Sequence, residues 1–196
     1  MKSNKSALVA LLLVQLFYGV TFTFANDVID GGYIQPYGFI LFRVSLAGIL
    51  FWVFSIWTPS EKIERKDFPK FIMAAFFGVA LNMLAFFKGL QFTTPINGSV
   101  IMVTTPIIVL ILSAIILRET ITKIKVFGIL AGLSGALVLS IYNSSASAGD
   151  HILLGNFLVL VNAASYSYYL ILIKKITDKY HPYTFIKWLF LFGTLF

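Results

Sequence analysis

The 196-residue sequence contains no cysteine. Disulfide bridges, thiolate catalysis and cysteine-based metal sites are therefore excluded. Histidine is scarce: His151 and His181 each sit alone in a loop with no second ligand beside them, so no metal centre is expected. Acidic residues are also few, eight against 15 lysines and arginines, and all eight fall in loops or at the ends of apolar runs. No glycine-rich phosphate loop is present. No nucleophile, base and orienting group can be assembled in one place. Catalytic residues and cofactors are accordingly not expected, and the chain does not read as an enzyme.

What the sequence has in abundance is apolar length. Hydrophobic residues make up 59% and charged residues 12%, with a mean hydropathy of +0.90. A soluble domain averages about 45–50% apolar and about 25% charged. A bilayer core about 30 Å thick is crossed by roughly 20 apolar residues in helix, and runs of that kind recur along the chain. The spans expected are Ala7–Ala25, Pro36–Trp57, Phe71–Leu90, Ile96–Leu117, Val126–Ile141 and Ile152–Ile173, with a seventh opening at Pro182. The unbroken runs speak for an all-α integral membrane protein; a β-barrel would alternate in polarity. A secretory leader is the competing reading of the first run, but no small-residue cleavage pattern follows Phe24.

The net charge of +7 follows the same layout. Lys2, Lys5, the cluster 62–70, the loop 118–125 and Lys174, Lys175 and Lys179 all fall on one side of these spans. The opposite loops carry only Asp27, Asp30 and Asp150. Positive-inside bias explains this and places the N-terminus in the cytoplasm. Nucleic acid is not an expected partner.

The stretch from Gly89 to Ile141 organises the chain. It holds an apolar run with Pro106 near its middle, a basic loop, and a second run carrying Gly128, Gly132 and Gly135. Pro106 lacks an N–H and crowds the carbonyl of Met102, so a kink is expected there. The glycine spacing predicts close approach of another helix backbone. Leu90–Thr94, Thr105-Pro106, Arg118–Thr122 and Gly128–Gly132, in this order, resemble the pattern of the EamA family in the drug/metabolite transporter superfamily. That resemblance implies an inverted five-plus-five helix repeat. Residues 1–142 would form the first repeat, 143–151 the loop between repeats, and 152–196 the start of a second repeat that is truncated in this chain. Three further spans would follow Phe196. Weak internal similarity agrees: Tyr18 pairs with Tyr166 and Pro36 with Pro182 at nearly the same offset.

The function so implied is a multi-pass transporter or permease that moves a small metabolite by alternating access, such as an amino acid, sugar derivative or drug-like compound. It would sit in the bacterial cytoplasmic (inner) membrane. The partners implied are that substrate and the lipid bilayer, with a homodimer as an option. A non-transporting membrane scaffold or subunit is the alternative.

Ionisable residues inside a span are functional candidates by default. Arg43, two turns into the second span, fits the Pro-x6-Arg layout (Pro36, Arg43) of many EamA-like first halves. It would hold an anionic group or anchor a gate; snorkelling to the interface is the bland reading. Lys88 and Lys187, near span ends, read as snorkelling. Small multidrug-resistance proteins of the same superfamily carry an acid in their first helix, where this chain has Gln15, Tyr18 and Thr21. Glu119, in the basic loop, reads as a structural partner of Arg118 or Lys123. The expected substrate-lining set is Gln15, Tyr18, Arg43, Asn82, Thr104, Asn162 and Tyr166, with Pro106 as the kink. For each uncharged member the alternative is helix–helix glue.

Overall fold

The structure is a computed structural model. It describes residues 8–14, 16–17, 20, 24, 28, 31–58, 61–142 and 151–196. All regular structure among these is helical. Two compact units are distinguished, Met1–Phe39 and Ile40–Phe196. In the first, residues 8–14 are helical and exposed, and a turn with Gly32 at φ 71° precedes the helix that opens at Pro36. Residues 7, 15, 18–19, 21–23 and 25 of the expected first span and 143–150 of the inter-repeat loop lie outside the described residues.

The helices are α1 (Pro36–Phe54), α2 (Phe68–Ala75), α3 (Leu81–Leu90), α4 (Pro95–Met102), α5 (Thr105–Ile116), α6 (Lys123–Tyr142), α7 (Ile152–Thr177) and α8 (Pro182–Leu195). Among the described residues four stretches are long and apolar enough to cross a membrane: Tyr37–Trp57, Arg65–Leu90, Asn97–Ile116 and Ile152–Thr177. The chain is an integral membrane protein.

Three of the elements differ from the expected spans in instructive ways. The expected third span runs through α2 and α3, joined by a single π-turn, Phe76–Ala80. The amide of Leu81 reaches back to the carbonyl of Phe76, one residue further than in an α-helix, which leaves the Phe77 carbonyl without its usual helical donor. The expected fourth span, one stretch over Asn97–Ile116, is interrupted as expected near Pro106, by a turn at Val103 and Thr104 that divides it into two helical pieces. α4 ends at Met102 and α5 starts at Thr105, with Pro106 in its first turn. The Thr104 hydroxyl donates to the Ile101 carbonyl at 2.6 Å, satisfying one helix-end acceptor inside the apolar region. The expected sixth span is longer by a turn, because α7 continues to Thr177 and carries Lys174 and Lys175 out of the apolar region.

α7 is the hub of the second unit. It packs along α3, α4, α5 and the π-turn, while α8 packs on α2 and the π-turn. The core joins Val44, Phe71, Val79, Ile176, Phe185 and Leu189. α1 meets α8 through Gly48 against Phe190 and through Trp52 against Trp188, whose ring centroids lie 5.4 Å apart. Trp52 thus has one face covered, and Lys187 lies over its ring at 4.9 Å.

Close backbone approach occurs, but not where the glycine spacing of α6 predicts it. A Cβ at Gly155 would stand 2.7 Å from the backbone of Phe92 and Thr93, and one at Gly89 would stand 3.0 Å from the Gly155 carbonyl. α3 and α7 therefore cross glycine on glycine. At Gly128, Gly132 and Gly135 no atom of the described residues lies within 4 Å of the would-be Cβ. Among the described residues the glycine face of α6 is open, and the expected close helix partner is not found there.

Candidate functional site

Polar side chains at helical spacing on α7 meet the α2–α3 stretch along one seam. Ser165 donates to the Phe77 carbonyl at 2.6 Å, the acceptor freed by the π-turn. Asn162 Nδ2 donates to the Asn82 carbonyl at 2.7 Å. Between them the Tyr169 ring lies on Gly78, where a Cβ would come within 2.3 Å of it. The structure thus brings together two expected site residues, Asn82 and Asn162, and uses them to join helices. Asn162 is 2% exposed, yet its Oδ1 accepts no hydrogen bond among the described residues. A buried amide oxygen without a donor is costly.

The other expected residues are distributed. Tyr166, the α7 neighbour, is partly exposed, with its ring 5.9 Å from Tyr169. Thr104 is tied to the α4–α5 break, and Pro106 is exposed beside α6 rather than in the seam. Arg43, on α1, is half-buried and makes no hydrogen bond or ion pair among the described residues. Gln15 and Tyr18 lie outside the described residues.

The richest polar cluster was not among the expected site residues. Asp67, 2% exposed at the start of α2, accepts from Lys70 at 2.7 Å, Lys179 at 2.6 Å and the Tyr180 hydroxyl at 2.8 Å. Glu64 pairs with Lys179 and Lys66, each at 2.7 Å, and its amide donates to Tyr180 at 3.2 Å. The amide of His181 donates to Glu61 at 2.8 Å. A second pairing lies between loops of the same kind. Glu119 binds Lys174, with Lys125 3.5 Å away, and not the expected Arg118 or Lys123. The correction has a physical cause: Arg118 takes a left-handed φ of 54° that ends α5, and the long α7 delivers Lys174 to Glu119.

The electrostatics follow from these bonds. Hydrogen bonds from Lys179 and then Lys66 hold the Glu64 carboxyl below its ordinary range. Lys174 does the same for Glu119, and the His181 amide for Glu61. Lys179 is raised, first by its bond to Asp67. The loops 61–70, 118–125 and 174–181 thus meet at one end of the helices. Thr93 donates to Asn156 at 2.5 Å and Phe92 contacts His151 at the other. No group of three metal-ligating side chains occurs among the described residues.

The described residues form a helical bundle with a polar seam, a cation within a span that has no partner among them, and a charged clasp at one end. Known proteins resemble this chain in sequence and in fold. The profile of the EamA-like transporter family matches residues 5–141. An uncharacterized transporter, YyaM of Bacillus subtilis, is 32% identical over 154 residues, covering 74% of this chain and 50% of the relative. One from Archaeoglobus fulgidus is 32% identical over 176 residues, covering 90% of this chain and 60% of the relative. The chain therefore spans about half to three fifths of the curated relatives it matches. A crystal structure superposes on 88% of the chain and 60% of its own length with a TM-score of 0.70 at 16% identity, a likeness of fold. The chain belongs to the EamA-like transporter family.

Proposed function

We propose that the protein is a secondary transporter that moves a small metabolite bearing an anionic group by alternating access, without catalysing a covalent reaction. The observation that carries this reading is Arg43. It lies within a span, is half-buried, and has no partner among the described residues. A charge in that setting is expensive and is kept where it has a task. A carboxylate or phosphate arriving from the lumen of the transporter would be bound by its planar fork of donors. The Asn162 oxygen is a second contact point, suited to an amine, amide or hydroxyl of the same substrate. The inverted repeat supplies the motion: one repeat rocks against the other around a site near the mid-membrane.

The binding part of this reading is tested by thermal unfolding of the purified full-length protein against a panel of carboxylates, phosphates, neutral sugars and amines. A ligand at about 100 times its Kd stabilises the native state by about 2.7 kcal/mol. At least one anionic compound is expected to raise Tm in the wild type and not in Arg43→Gln, with the two unliganded proteins unfolding alike. Equal shifts in both proteins, or stabilisation by cations and neutral compounds only, would remove Arg43 from the site.

A further inference from the structure

α6 packs chiefly on α4 and leaves an open groove of about 430 Å³ beside α5. Val103, Pro106, Val109 and Leu110 form one wall. Ile129 and the bare Gly128 and Gly132 form the other. Among the described residues no atom lies within 4 Å of the position a Cβ would take at either glycine. From Val103 to Ser113 the groove follows α5 for about 15 Å at 1.5 Å per residue, half of an apolar core about 30 Å thick. It thus runs the depth of a single leaflet.

The groove opens at the basic end of the molecule, where Glu119 and Lys125 line its mouth. The Glu119 carboxylate is already taken, bound by Lys174 and flanked by Lys125 at 3.5 Å. Arg118 and Lys123, in the same loop as Glu119, make no ion pair among the described residues. One acid therefore faces four cations. A second copy of the chain seated here about a twofold axis along the membrane normal would set these like charges against each other. An occupant with one apolar chain and an anionic head meets both the wall and the mouth.

We propose that this groove is a binding site for an anionic phospholipid, with one acyl chain laid on Gly128 and Gly132 and the phosphate held by Arg118, Lys123 and Lys125. Basic pockets between spans on the cytoplasmic side are a recurrent form of lipid recognition. The bare glycines let the chain lie against the α6 backbone, and positive-inside bias would put the mouth in the leaflet richest in anionic lipid.

Native mass spectrometry of the full-length protein, with phosphatidylglycerol and phosphatidylcholine of matched acyl chains, tests this. Phosphatidylglycerol is expected to be retained in preference to phosphatidylcholine. Lys123→Gln and Lys125→Gln should each lower its retention about five-fold, since each cation near the surface contributes on that scale, with Tm unchanged in Lys123→Gln. Gly128→Leu, which fills the groove from its floor, should lower retention of both lipids. Equal retention of the two lipids by the wild type, or retention unaffected by all three substitutions, overturns the proposal. So does disulfide trapping of Gly132→Cys with a second copy, or with a cysteine in a further segment of the same polypeptide.

Discussion

At the residue scale, single hydrogen bonds explain where these helices depart from regularity. The π-turn exists together with its partner: Ser165 supplies the donor that the displaced Phe77 carbonyl would otherwise lack. Ser165→Ala should therefore destabilise the protein by about 0.6–1.7 kcal/mol, the range for interhelical hydrogen bonds in membranes. Unfolding in detergent measures this; an unchanged Tm would mean that the π-turn is held by packing alone. Asn82 and Asn162 were legible in the sequence because polar residues at helical spacing in an apolar run stand out. The Ser165 contact was not. Its acceptor, the Phe77 carbonyl, carries no side-chain signal, and which turn of a helix slips by one residue depends on what lies opposite. The partner of Glu119 was misread for the same reason. Arg118 and Lys123 are near in sequence, but Lys174 is delivered by another helix.

At the element scale, the sequence shows where spans occur better than which of their faces are covered. Pro106 signals an interruption, and one is present. That it takes the form of two separate helices depends on Thr104 closing the end of α4. Glycine spacing on α6 signals a narrow face without saying what fills it. The glycines that bring backbones together are Gly89 and Gly155; Gly155 is alone in its run and Gly89 shares its run only with the distant Gly78, so no repeated short spacing draws the eye to them. The two kinds of glycine should respond oppositely. Gly155→Ala places a methyl 2.7 Å from the Phe92 and Thr93 backbone, and should destabilise by about 1–3 kcal/mol through overpacking. Gly132→Ala meets open space and should be neutral or stabilising by up to about 0.5–1 kcal/mol, the helical preference of alanine over glycine. A pair of thermal melts decides this; loss of stability in Gly132→Ala would show that the α6 face is covered in the whole protein.

At the scale of the whole molecule, the charged clasp fastens the start of α8 and the end of α7 to the loops before α2 and α6. Its pH response follows in sign from its partners. Glu64 and Glu119 are held below their ordinary value of 4.5 in the folded state. Their contribution to stability is full above about that pH and is lost as pH falls through the lowered folded values. Lys179 is raised above 10.5, so its contribution is intact below that pH and is lost only as pH rises through the raised value. Tm should therefore fall on the acid side, and Glu64→Gln with Glu119→Gln should flatten that fall while lowering Tm at pH 7. An acid limb that is the same in wild type and double variant would assign it to other groups.

The central claim is transport of an anionic metabolite through Arg43. Its most direct measurement is uptake of radiolabelled metabolites into proteoliposomes holding the full-length protein, beside empty liposomes and the Arg43→Gln and Arg43→Lys proteins. The account predicts saturable uptake of at least one carboxylate- or phosphate-bearing compound, lost in Arg43→Gln and partly restored in Arg43→Lys because the charge returns without the planar fork. Uptake unchanged in Arg43→Gln, or saturable uptake confined to cations and neutral compounds, would contradict it.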